Sequence, residues 1–194
     1  MGGKFMEGFT KKISEIIVQT TSANMTTEAI QKARQLFLDG IAVAVAGSIK
    51  EAPPSILANH IKSKGSREQA SVIGFDFKTH AVDAAYINGA SMHVLDYEPM
   101  WSPANHAVST NLPAILSLIE THEVNGLEAA TALVKGTETQ GWLRQCSGDF
   151  DAKKVKNHPP GLVGPISSCV AAGHILQFDT ETQRHAFGIA ASRC

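Results

Sequence analysis

GIAVAVAGS, Gly40–Ser48, is the stretch whose reading decides the fold. It completes a pattern in which Ile30, Ala33, Phe37, Ile41, Ala44 and Val45 line one helical face, capped by Thr26 or Thr27 and with Glu28 in the first turn. From Gly40 onward the apolar residues run nearly all the way round. A helix of that composition is predicted to be buried on several sides, which requires other helices around it.

Working outward, both flanks supply such helices. Before it, Phe5, Phe9, Ile13, Ile16 and Ile17 form a helical stripe, with Lys11, Lys12 and Glu15 off it. After it, Pro53 and Pro54 suit a helix start, and Ile56, Leu57 and Ile61 continue the pattern to a turn at Lys64–Ser66. ASVIGF, Ala70–Phe75, is the single β-like run; it is predicted either to pair with a distant part of the fold or to pack as an extended connector. Thr79 opens the next helix, whose residues Ala81, Ala85, Asn88, Gly89 and Met92 keep one face slim. Gly89 there suits close packing, with close approach to a ligand as the alternative. Pro113 begins a further helix through Ile119, and another runs from Leu127 towards Cys146. The small residues Ser167, Ser168, Ala171, Ala172 and Gly173 mark a tightly packed one, and the last starts at Asp179 or Thr180 with capping-box spacing from Thr180 to Gln183. The expectation is one mainly α domain over 1–194, a multi-helix bundle with at most one or two short strands.

Composition excludes several functions. Seventeen Lys plus Arg against 18 Asp plus Glu leave a net charge of −1, so the overall field favours neither nucleic acid nor an anionic membrane surface. No apolar run approaches the roughly 20 residues that span a bilayer. Three widely spaced cysteines, Cys146, Cys169 and Cys194, fit a reducing compartment: the cytoplasm or, alternatively, the mitochondrial matrix. The N-terminal residues lack a secretory core and carry no arginine, which makes them a poor mitochondrial presequence. At the other end, the apolar helix runs into Ser192, Arg193 and Cys194 without glycine or proline, so the chain is expected to be truncated.

Chemistry is concentrated in LDYEPMWSPANHAVSTNLP, Leu95–Pro113, where an acid, a histidine, prolines and a tryptophan crowd between two helical patterns. Pro99 and Pro103 break helix there, so Asp96 and His106 are presented on a bent loop. An imidazole titrates near neutrality and a nearby carboxylate orients it, so these two read as an acid and base pair. Of the eight histidines, only His106 and His158 sit in proline-flanked polar segments, each beside an asparagine, Asn105 and Asn157. The segment Ser147–Gly161 around His158 reads as a long surface loop. His122, His174 and His185 lie on helical patterns without an acidic loop partner and are assigned structural or exposed roles, while His60 and His80 suit helix ends or surface. A metal site from His93, Asp96 and His106 matches no recognised ligand spacing, so no metal is expected. Phosphate-loop, nucleophile-elbow and dinucleotide motifs are absent.

DGIAVAVAG (Asp39–Gly47), ASVIGF, AAYINGASMHVLDYE (Ala84–Glu98), SPANHAVSTNLPAILSLIE (Ser102–Glu120) and NHPPGLVG (Asn157–Gly164) together resemble the MmgE/PrpD family, in order and over essentially the whole chain. The family contains lyases and isomerases of small polycarboxylic acids, among them 2-methylcitrate dehydratase and cis-aconitate decarboxylase. The resemblance implies a helical domain, an α/β lid domain that this chain lacks, a homodimer, and a di- or tricarboxylate as substrate. It implies neither metal nor organic cofactor. Asp96, His106 and His158 fall on its pocket residues and are the expected catalytic groups, with Asn105, Met100 and Trp101 as neighbours expected to touch substrate. Where members show an acidic pair followed by threonine, this chain has Glu98, Pro99 and Met100, and Ala107 replaces a proline. The family's lysine-bearing segment falls beyond Cys194, so this chain alone is expected to be inactive. A non-catalytic dimerising or binding role is the rival expectation.

Overall fold

In the computed structural model, which describes residues 8–148 and 157–194, α-helices form nearly all the regular structure. They are α1 (Phe9–Gln19), α2 (Thr27–Lys50), α3 (Ala52–Ser63), α4 (Ala81–His93), α5 (Val108–Ile119), α6 (Gly126–Cys146), α7 (Pro159–Ile175) and α8 (Thr180–Ala191). Two antiparallel pairs interrupt them: β1 (Ala70–Ser71) with β2 (Lys78–Thr79), and β3 (Met100–Trp101) with β4 (Asn105–His106). The mainly helical class expected from the sequence is therefore correct. Phe5 and most of the expected polar loop lie outside the described residues.

Local chemistry explains the helix starts. The Thr26 hydroxyl accepts the Ala29 N–H at 3.1 Å, and the Asn125 and Glu128 side chains cap α6 reciprocally. Asp179, not Thr180, caps α8 by accepting from Thr182 N–H at 2.7 Å. Prolines open α3 and also α7, which begins at Pro159 with His158 as its cap residue.

Three expectations about where elements begin and pair require correction. Ala70–Ser71 pairs neither with a distant segment nor as a lone connector, but with the nearby Lys78–Thr79, through a turn in which Gly74 has φ +81°. Thr79 thus ends β2, and His80 is the residue preceding α4. Helix α5 starts five residues before Pro113, because Val108 and Leu112 are already buried in the core and hold the first turn in place. Pro113 then leaves the Ser109 carbonyl without its intrahelical partner.

The main core joins α2, α4, α5, α6 and α7 through Ala44, Met92, Leu112, Ile115, Leu133 and Ala171. A smaller cluster under α3 and β1 holds Ile61, Val72 and Ile87, and a third joins α1, α7 and α8 at Ile17, Val170 and Phe187. Gly47 lets α2 cross α4 closely, since a Cβ there would lie 2.0 Å from the Ser91 carbonyl.

The expectation that α2 is buried on several sides fails among the described residues. Leu38, Ile41, Val45 and Ile49, spaced along one side of the helix, are 74%, 37%, 40% and 70% exposed. Ile30, Ala33, Gly40, Val43, Ala44 and Gly47, away from that stripe, are buried, and Leu36 and Phe37 also pack on the core. No single described helix is long and apolar enough to cross a membrane; α2 and α3 meet the length only across an 86° bend.

Candidate functional site

The site forms where α4 ends. The last residue of α4, His93, accepts at its carbonyl the N–H of Asp96, whose φ of 56° turns the chain sharply back. Aspartate tolerates that left-handed conformation better than most side chains. The turn returns the segment across its own helix end, so that Glu98 is buried against His93 while the Asp96 side chain stays open to solvent.

Strands β3 and β4 then divide the loop's side chains by face. Met100 pairs with His106 and Trp101 with Asn105, so successive residues alternate sides. Trp101 and Asn105 face α6. A Cβ at Gly141 would lie 2.4 Å from the indole, and Asn105 Oδ1 accepts from Gln140 Nε2 at 2.9 Å. Gln140, fully buried, also donates to the His106 carbonyl at 2.9 Å, while its Oε1 accepts from Thr110 Oγ1 at 2.6 Å, Asn111 Nδ2 at 3.1 Å and Ser167 Oγ at 2.5 Å. One amide thus ties the loop to α5, α6 and α7.

His106 lies between two carboxylates. Its Nε2 is 3.0 Å from Asp96 Oδ1, and its Nδ1 is 3.2 Å from Glu98 Oε1. The same Glu98 oxygen receives His93 Nδ1 at 2.7 Å, and the His93 and His106 rings meet edge-to-face at 4.6 Å between centroids. His158, brought by α7, lies with its ring 5.7 Å from that of His93. Of the residues singled out from sequence, Asp96, His106 and His158 are therefore brought to one place, with Met100 paired to His106 and 60% exposed. Asn105 and Trp101, expected to touch substrate, are turned towards the helical framework.

The electrostatics separate the imidazoles. The hydrogen bond to Glu98 raises the His93 pKa above its usual value, overcoming burial, and Asp96 adds to the effect. Burial pulls the Glu98 carboxyl upward, but its contacts, His93 foremost, outweigh that and leave it below the usual carboxylate range. His158 is shifted the other way, lowered first by burial and then by the charges of His93 and His106. The cluster thus sets an imidazole of raised pKa beside one of lowered pKa, an arrangement suited to donating and accepting protons at the same small ligand.

Sequence reasoning gave no site role to Glu98, the buried hub of the cluster. Its one legible signal was its nearness to His93 and Asp96 in the chain. His93 and His106 come within reach of one another only once the loop folds back, and no helical or strand period encodes that return.

Comparison with known proteins agrees with this architecture. The model of the MmgE/PrpD N-terminal domain matches residues 11–194. The chain is 27% identical over 192 residues to human cis-aconitate decarboxylase, covering 96% of this chain and 40% of that protein. It is 29% identical over 174 residues to the mouse cis-aconitate decarboxylase, covering 87% and 36%. It is also 25% identical over 193 residues to the cis-aconitate decarboxylase-like protein oryM of Aspergillus oryzae, covering 95% and 40%. The chain spans about two-fifths of the length of these relatives. With the match to the N-terminal domain extending over nearly every residue of the helical bundle, this chain belongs to the MmgE/PrpD family.

Proposed function

We propose that this chain provides acid–base groups for a lyase or isomerase acting on a small di- or tricarboxylate such as cis-aconitate or 2-methylcitrate. The observation that carries the reading is the placing of His158 5.7 Å from His93, with burial lowering the pKa of the first and the hydrogen bond to Glu98 raising that of the second. Decarboxylation and dehydration beside a carboxylate both build negative charge on the substrate. Preorganised donors offset that charge best in a site where they need not reorganise. His158 would take or return the proton at carbon, and His93 and His106 would face the growing enediolate. A positioned acid or base contributes about 10²- to 10⁴-fold. The names of the relatives support decarboxylation as the reaction.

The unpartnered stripe on α2 supports homodimerisation: Leu38, Ile41, Val45 and Ile49 recur at helical spacing, and apolar area of this kind favours a partner. The same stripe also favours the rival reading, a dimerising protein that binds without turnover.

Binding is tested in this chain by following its histidine ring resonances as cis-aconitate is added. The His158 resonance is expected to move and that of exposed His185 to stay. In a longer protein containing this domain, His158→Ala is expected to reduce turnover of cis-aconitate about 100-fold or more, with His185→Ala near wild type. Equal losses in the two variants, or no movement at His158, would defeat the reading.

A further inference from the structure

We propose that His93, Glu98 and His106 form a binding site for one divalent cation of the zinc class. The three side chains bring one ligand atom each within 4.8 Å of one another. Glu98 Oε1 is 2.7 Å from His93 Nδ1 and 3.2 Å from His106 Nδ1. Zinc bonds of about 2.0 to 2.2 Å set tetrahedral ligand atoms about 3.3 Å apart, so the His106 contact already fits and the His93 contact has to open by about half an ångström.

The hydrogen-bond arrangement leaves the place for the ion. His106 Nε2 faces Asp96 at 3.0 Å and Nδ1 faces Glu98 Oε1 at 3.2 Å, so the neutral ring that donates from Nε2 to Asp96 is the form that offers an Nδ1 lone pair to an ion. His106 Nδ1 is buried without a hydrogen-bond partner. The Glu98 side chain is wholly buried and that of His106 is 10% exposed. A cation between Nδ1 and the carboxylate oxygen would bond to both. Asp96 then plays the part of an outer carboxylate that fixes the tautomer and orientation of a ligating histidine.

The donor set also selects the ion. Two imidazoles and one carboxylate suit zinc, whereas magnesium and calcium prefer oxygen alone. The His93 side chain is 37% exposed, which gives the ion a route in, and three protein ligands leave a coordination position for water. A bound ion would engage the imidazoles that the acid–base reading needs, so it would inhibit turnover and be reversed by a chelator.

Cobalt(II) is the probe, because a tetrahedral site shows itself in its visible absorption bands. Titration of this chain with Co²⁺ is expected to saturate at one equivalent with tetrahedral-type bands, which Zn²⁺ removes by competition. Glu98→Gln and His93→Gln are each expected to weaken binding about 100-fold, and Asp96→Asn about 10-fold, while His185→Gln binds as wild type. Circular dichroism checks that each variant is folded. If Glu98→Gln does not fold, His93→Gln at its partly exposed position carries the same test. Absence of tetrahedral bands, or wild-type affinity in either folded ligand variant, overturns the proposal. The measurement contains no substrate, so its failure leaves the polycarboxylate reading intact, and failure of that reading leaves the cation site intact.

Discussion

Gln140 Nε2, buried in the C-terminal half of α6, donates to the main-chain carbonyl of His106 at 2.9 Å across 34 residues of sequence. This single side chain sets where the loop histidine stands, because the same amide group also holds Asn105 and, through its oxygen, Thr110, Asn111 and Ser167. Gln140→Leu keeps the approximate volume but leaves those buried polar groups without partners. It is expected to cost about 2 to 4 kcal/mol of stability, read by urea unfolding. A loss below that of an exposed glutamine variant such as Gln31→Leu would show that the network is dispensable.

At Asp96 the backbone conformation and the carboxylate can be separated. Asp96→Asn retains a side chain that tolerates φ of 56°, so stability should change by no more than about 0.5 kcal/mol. Asp96→Val places a β-branched residue in the same conformation and should cost about 1 to 3 kcal/mol. Thermal or urea unfolding of the two variants compares them directly; equal stabilities would mean that the turn after α4 relaxes without cost.

A second pair, remote from the loop, governs response to acid. Lys135 Nζ on α6 donates to the Thr20 carbonyl at 3.0 Å and lies 3.2 Å from His174 Nδ1 on α7. Burial lowers Lys135 to about 8, and burial together with the Lys135 charge lowers His174 to about 4. For His174 the folded value lies below the ordinary 6.5, so between these two values the unfolded chain binds more protons than the folded one. The His174 contribution is therefore full above about pH 6.5 and is lost as the pH drops towards 4. The complete shift corresponds to about 3 kcal/mol; with a ring partly open to solvent, about 1 to 2 kcal/mol is expected. His174→Gln should shrink the difference in urea-unfolding free energy between pH 7 and pH 4 by that amount, and an unchanged difference would assign the acid loss elsewhere.

The α2 stripe makes a prediction about assembly. Leu38 is 74% exposed and contributes to no described core cluster, so Leu38→Glu should leave the monomer's stability within about 0.5 kcal/mol. If the stripe is the homodimer contact, the same change should weaken association by about 10-fold or more, measured by sedimentation equilibrium. Identical association of variant and wild type would remove α2 from the interface.

The helical class, the positions of most helices and the presence of Asp96, His106 and His158 in proline-marked segments were determined by the sequence alone. Each rests on short-range physics: a period of apolar residues, a capping oxygen three residues from an N–H, a ring that fixes φ. Thr26 and Asn125 show this, since their caps involve only neighbours in the chain. The early start of α5 was hidden because core burial of Val108 and Leu112 overrode the local signal of Pro113. The tertiary structure decided the rest. It made Glu98 the hub of the imidazoles, brought His158 beside His93, turned Trp101 and Asn105 to α6, and left one side of α2 uncovered. The physical reason is common to all four: each depends on which distant surface meets a side chain once α4, α6 and α7 have packed, and such a meeting has no period in the sequence.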